Sequence, residues 1–326
     1  MFKVSRRKIQ IVLGLLWLID GCLQLQPKMF SSKFITSVID PAKVGQPYFI
    51  SNPIHFASQI FLSHPVIIDS LIIIIQILIG LLILFKTTTK YGLWFSFLWG
   101  IFVWFMGEAA GGIFSGHASL IFGLPGAALI YSIISLAILP KDNSQKEVGG
   151  YWLAFIWSAV WIMGAIYQLL PGQNSISSIK MMITSNINGA PNWLANIDRH
   201  VSYFLEYLMS NSGAAKIVSS NHTTMMMNSR SDGYGYIVLL SFIMLVIAIG
   251  SVMINKKVRN LILVLGIFLT LCFWLIGQGL GGYYTGHMTD LNTGPLIILL
   301  GLAIIGQPEL SSKLKKIYSK FEKIIV

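Results

Sequence analysis

The sequence predicts an all-α integral membrane protein of eight transmembrane helices, arranged as two four-helix bundles in parallel repeat. Three observations carry that expectation. Hydrophobic residues make up 55% of the 326-residue chain and charged ones 11%, with a mean hydropathy of +0.71, a balance far from that of soluble globular chains. The run Gly107-Glu108-Ala109-Ala110-Gly111-Gly112-Ile113-Phe114-Ser115-Gly116-His117 is echoed by Gly277-Gln278-Gly279-Leu280-Gly281-Gly282-Tyr283-Tyr284-Thr285-Gly286-His287, about 170 residues later, the mark of an internal duplication. At the same spacing Trp104 pairs with Trp274 and Pro125 with Pro295. Finally, the basic residues fall in short clusters between apolar segments, where they act as topology signals.

The first span covers residues 8–27, close to the roughly 20 residues a helix needs to cross the hydrocarbon core. Trp17, Asp20 and Gln24 share one of its faces. A basic start followed by an apolar run resembles a signal peptide, but no small-residue cleavage site follows and Asp20 interrupts the run. The fifth span, residues 152–171, places Trp161, Gly164, Gln168 and Pro171 where the first has Trp17, Asp20, Gln24 and Pro27, an offset of about 144 residues.

After the first span comes a polar to semi-polar loop with Gly45-Gln46-Pro47, matched by Gly189-Ala190-Pro191, and Asn52 by Asn196. The offset grows between these markers and the Gly-rich motif, so the second copy holds an insertion of about 26 residues. Its Ser, Asn, Met and Gly content places it within 209–232 as a flexible loop. The remaining spans are 66–85, 91–112, 120–139, 236–254, 260–282 and 295–305. The first repeat is then 1–146, the second 147–310, and 311–326 a basic tail whose Leu314, Ile317, Phe321 and Ile324 share a face among lysines, suited to an anionic inner leaflet.

A cytoplasmic N-terminus puts Lys3, Arg6, Arg7, Lys8, Lys86, Lys90, Lys141, Lys146, Lys256, Lys257, Arg259 and the tail lysines inside, most of the 23 basic residues. The chain is thus expected to be a multi-pass cell-membrane protein with both termini cytoplasmic. Four spans per copy point the halves the same way, which excludes an inverted repeat. The net charge of +11 needs no nucleic acid to explain it. Cys22 and Cys272 lie inside apolar segments, so no loop disulfide is available.

Under this topology His55, His64, His117, His200, His222 and His287 all fall in outer loops or at outer helix ends, so a polar site is expected on the extracytoplasmic side. Ionisable groups within spans are costly, which makes Asp20 and Glu108 the catalytic candidates. Asp20 lies about 10 Å along its helix from Pro27; it belongs to a site, fixes packing through Gln24 or a neighbouring helix, or faces lipid. Gly107, Gly111, Gly112 and Gly116 leave a side-chain-free groove on the third helix, for a neighbouring helix or for a flat ligand such as a quinone ring. Gln24, His117, Gln168, Gln278, His287 and Asp290 are the candidate ligand-binding groups.

The equivalent histidines His117 and His287 can instead hydrogen-bond at the interface or ligate a metal, which then needs further ligands such as Met288 or Asp290. His222 with Met225, Met226 and Met227 offers soft ligands to copper, or caps an apolar surface. Asn221-His222-Thr223 fits a glycosylation sequon. No HExxH, GxSxG, CxxCH, Walker A or Rossmann signature is present, which leaves hydrolase, c-type haem and nucleotide readings without support.

Gly14 through Gly21-Cys22-Leu23-Gln24-Leu25, then Gln76-Ile77-Leu78-Ile79-Gly80 leading through Leu84 to the basic turn Lys86 to Lys90, resemble the opening helices of DoxX-like and DoxD-like membrane proteins; Gly80 has its copy in Gly250. That resemblance implies four-helix units and a link to thiosulfate oxidation coupled to quinone. The family often carries a glutamate in its second helix where this chain has Gln76 and, in the copy, Val246, so no family catalytic residue carries over. The leading expectation is a quinone-linked redox component with its site near the outer face. The alternatives are a non-enzymatic transporter or copper-handling membrane protein, and an accessory subunit packed on other membrane subunits.

Overall fold

The computed structural model describes residues 5–140, 152–173, 175–211 and 233–305, together with 312, 315–317 and 319. Among the described residues it is all-helical, with thirteen α-helices and no strand. The metal candidates His222, Met225, Met226 and Met227 and most of the tail lie outside the described residues.

Helix α1 (Arg6–Leu23) starts at Ser5, whose side chain accepts from the Lys8 amide. It lies against α5 (Pro65–Leu84) through a glycine contact: a Cβ on Gly80 would sit 2.8 Å from the Gly14 carbonyl oxygen. Between them the chain forms α2 (Ser32–Phe34), a π turn (Ile35–Ile39), α3 (Asp40–Lys43) and α4 (Tyr48–Ser63). Met29, Phe34, Ile39, Ile54 and Phe61 give this segment an apolar core of its own with Ala109 and Ala110. The semi-polar loop expected there is therefore a packed helical unit.

α6 (Thr89–Met106) ends where the amides of Gly107 and Glu108 both donate to the Val103 carbonyl. α7 (Ala127–Ala137) completes the first half; the second comprises α8 (Trp152–Gln168), α9 (Ile176–Ser185), α10 (Asn192–Asn211), α11 (Tyr234–Gly250), α12 (Lys256–Cys272) and α13 (Thr293–Ile304). A single apolar core containing Trp17, Tyr131, Trp157, Trp161 and Leu300 joins both halves.

The Gly-rich motifs do not continue a helix. Ala109, Ala110, Gly111 and Gly112 take φ of 49°, 56°, 63° and 72°, and Gly279, Leu280, Gly281 and Gly282 take 52°, 55°, 78° and 72°. Each is a left-handed turn, a conformation that costs about 1–2 kcal/mol for each residue bearing a Cβ. Gly111 meets a second demand, because a Cβ there would lie 1.8 Å from the Pro125 carbonyl oxygen. The glycines expected to form a groove on the third helix instead turn the backbone out of it.

The halves differ in register after this turn. Trp104 Nε1 donates to the Pro125 carbonyl (2.7 Å), whereas Trp274 Nε1 donates to that of Leu291 (2.8 Å). The loop from His117 to α7 is longer than the one from His287 to α13. Pro125 therefore stands opposite Leu291 rather than Pro295, which corrects the proline pairing made on sequence spacing.

The two halves also hold each other reciprocally. Gln26 Nε2 and Lys28 Nζ, after α1, donate to the carbonyls of Met288 and Thr285. Gln173 Nε2 and the Tyr167 hydroxyl, at and after the end of α8, donate to those of His117 and Ile113. Among the described residues, two helical stretches are long and apolar enough to span a membrane, Pro65–Leu84 (20 residues) and Lys256–Gly277 (22 residues). Where residues 120–139 and 295–305 were expected to span, α7 and α13 are 11 and 12 residues long.

Candidate functional site

A cavity of about 360 Å³ opens between α1, α4, α5 and α6, walled by apolar side chains such as Phe34, Ile54, Ile72 and Phe102. Its polar residues include Asp20, Gln24, Glu108, Tyr131 and Asp290. Asp20 is 1% exposed. The Tyr131 hydroxyl donates to its Oδ2 at 2.5 Å, while Oδ1 has no partner among the described residues. Tyr131 is fixed by its ring against Trp17 (centroids 4.4 Å apart), and the Trp17 indole donates to Ser96 Oγ at 2.7 Å.

Glu108 reaches the cavity because α6 breaks just before it. Both its carboxylate oxygens accept from the Ala128 amide, at 3.1 and 3.3 Å, so the acid also caps the N-terminus of α7, where unpaired amides favour negative charge. Asp290 comes from the other half. Its Oδ1 accepts from the Asn292 amide (2.6 Å) and its Oδ2 from the Thr289 hydroxyl (2.8 Å). Burial pushes its carboxyl above the ordinary range, and those two hydrogen bonds pull it part of the way back.

Further unmet polar atoms face the same space. Gln24 Oε1, Gln76 Oε1 and Trp99 Nε1, all on cavity-lining residues, are buried without a hydrogen-bond partner among the described residues. Such groups lose about 1–3 kcal/mol each unless a ligand or water meets them. A second, more polar cavity of about 570 Å³ is lined by Ser115, His117, Ser119 and Asn292 and shares Glu108, Ala127, Thr289 and Asp290 with the first. The shared side chains form a thin acidic septum between an apolar chamber and a polar one.

Of the residues singled out from sequence, Asp20, Gln24, Glu108 and Asp290 come together, and His117 lines the adjoining cavity. Gln168 is spent on structure: it accepts from Ser119 Oγ and donates to the Gln173 carbonyl. Gln278 accepts from the Gly294 amide at 3.0 Å, the neutral counterpart of the Glu108 cap. His287 sits half-buried, with burial and then nearby Lys28 holding its imidazole below the usual range. Among the described residues, no three His, Cys, Asp or Glu side chains stand close enough together to hold one metal ion. Tyr131, Trp99 and Thr289 escaped the sequence reading; the Tyr131, Ser132 and Ser135 hydroxyls clustered in one apolar span were the available signal.

No protein-family model matches the chain, and neither a curated protein nor a solved structure does. The DoxX-like outline rests on the residues that suggested it.

Proposed function

We propose that the chain is a multi-pass membrane protein that binds a quinone in the cavity of its first half, as a redox component working near the outer face. The observation that carries this reading is an apolar chamber whose polar wall holds the Asp20–Tyr131 pair, Glu108 and Asp290. An apolar chamber suits a hydrophobic ring and tail, and unmet carboxylate, amide and indole groups suit a head with exchangeable hydrogens. Asp20 and Glu108 stand where they can exchange protons with the head of a bound quinone or quinol, and Asp290 stands between them and the polar cavity.

Eight crossings remain the topology that best accounts for the basic clusters. The short helices α7 and α13 fit it because irregular backbone is tolerated at membrane depth where protein partners it, and each Gly-rich loop accepts hydrogen bonds from the opposite half.

Mass spectrometry of protein purified in mild detergent, followed by titration with a short-chain quinone, tests the proposal. Bound quinone is expected in the wild type, with affinity reduced at least about tenfold in Asp20→Asn and Glu108→Gln, since each loses a carboxyl group able to accept and exchange a proton. Absence of binding, or wild-type affinity in both variants, rejects it. The junction of the two cavities at one septum favours a second reading, export of a bilayer-soluble amphipath; transport without any redox change would select it.

A further inference from the structure

We infer that α4 and α10 lie in the lipid–water interface of the outer leaflet, each presenting an aromatic stripe to the acyl chains; this rests on the membrane reading above. At about 100° per residue, α4 sorts into three stripes. Ile50, Ile54, Ser58 and Phe61 are buried; Phe49, Phe56 and Ile60 form an exposed apolar stripe (61%, 68% and 47% exposed); Tyr48, Asn52, His55 and Gln59 form a polar stripe without acid, lysine or arginine.

α10 repeats the arrangement at the spacing that relates Asn52 to Asn196. Leu194, Asp198 and Ser202 are buried; Trp193, Phe204 and Tyr207 are exposed, with His200 among them where α4 has Phe56; Asn192, Asn196, Arg199, Tyr203 and Glu206 form the stripe that is polar on α4. A helix lying on a protein in water needs two stripes, one buried and one polar. A third, apolar stripe set between them suits a helix where protein, lipid and water meet, and aromatic side chains are favoured at that level.

Chain continuity places α4 at the right height. It runs through Ser63 and the sharp bend at His64 (φ −145°, ψ 59°) into α5, with Pro65 in its first turn, and α5 is one of the two stretches long and apolar enough to span. The inward stripe of α4 is also a wall of the first cavity through Ile54, Ser58 and Phe61. The lipid stripe is therefore one helix away from the chamber, and a bilayer-soluble ligand reaches the chamber at that level.

Site-directed spin labelling tests this in the full chain with Cys22→Ser and Cys272→Ser, reconstituted in phosphatidylcholine–phosphatidylglycerol vesicles. Labels at Phe56→Cys and Phe204→Cys are expected to collide severalfold more with oxygen than with a water-soluble nickel chelate, at a depth of about 5–10 Å. Labels at Asn52→Cys and Asn196→Cys should show the reverse, and one at Leu78→Cys on α5 should read as deep. If positions 56 and 204 behave like 52 and 196 while 78 stays deep, the helices lie in water and the inference fails although the membrane reading stands. Labels at 56 and 204 immobilised and shielded from both reagents also overturn it, because a protein surface then covers the stripe. If 78 is open to nickel, the membrane reading itself has failed.

Discussion

Gly111 concentrates the demands that a single position can face in this fold. Its backbone is left-handed, at φ 63°, and the Pro125 carbonyl occupies the place a Cβ would take. Gly116 has a similar φ, 76°, but nothing within 4 Å of its Cβ position. Gly116→Ala is therefore expected to cost only the conformational term, about 1 kcal/mol, and Gly111→Ala that term plus about 1–3 kcal/mol of overpacking. Thermal unfolding in detergent should rank wild type, Gly116→Ala and Gly111→Ala in that order. Asp198 on α10 makes a different case, since it is fully buried with both carboxylate oxygens unpartnered among the described residues, and burial raises its pKa to about 6. A carboxyl raised on folding holds its proton longer in the folded state, so stability falls as pH climbs from about 4 to 6 and stays lowered above. Asp198→Asn should melt higher than wild type at pH 7.5, by at most about 3 kcal/mol equivalent, with the gap closing toward pH 4.5. A gap independent of pH would show that the carboxylate's charge is not what destabilises the fold.

The start of each last helix is set by the break of the helix before it. Glu108 caps α7 through the Ala128 amide and Gln278 caps α13 through that of Gly294, so one position does structural work in both halves and carries an acid in only one. Glu108→Gln keeps an acceptor and should unfold within about 0.5 kcal/mol of wild type, whereas Glu108→Ala strands the amide and should lose about 1 kcal/mol. Both should impair quinone binding alike. A ligand deficit that tracked stability instead would make Glu108 purely a cap. This contrast also locates what the sequence could convey. Asp20 and Glu108 stood out because acids are rare in apolar runs, and α5 because its 20 residues are predominantly apolar, although Asp69, buried on that helix, did not stand out. α7 could not be delimited, since residues 120–126 are as hydrophobic as a helix yet are spent on a 3-10 turn and the loop through Gly126. The helices α2 to α4 were hidden for a related reason: their apolar face is interrupted by polar residues turned outward, which reads as a loop when counted by composition.

At the scale of the whole molecule, the cavity draws its acids from both halves. Asp20 and Glu108 belong to the first half and Asp290 to the second, brought there by the loop that the residues after α1 hold through Gln26 and Lys28. Spacing could pair the halves along the chain; it could not reveal that each one's post-helix loop docks on the Gly-rich loop of the other. A protease site introduced between 141 and 150 should therefore be cut without loss of function. The nicked halves should co-elute in detergent, held by a shared apolar core that contains Trp17, Tyr131, Trp157 and Trp161, and should bind quinone as the intact chain does. The first half expressed alone keeps Asp20, Tyr131 and Glu108 but lacks Asp290 and the septum, and is expected not to bind. Asp290→Asn in the full chain separates assembly from chemistry: co-elution should persist after nicking while binding loses the pH dependence that the raised Asp290 carboxyl imposes. Full binding by the isolated first half would show instead that the second half is a scaffold and the septum carries no function.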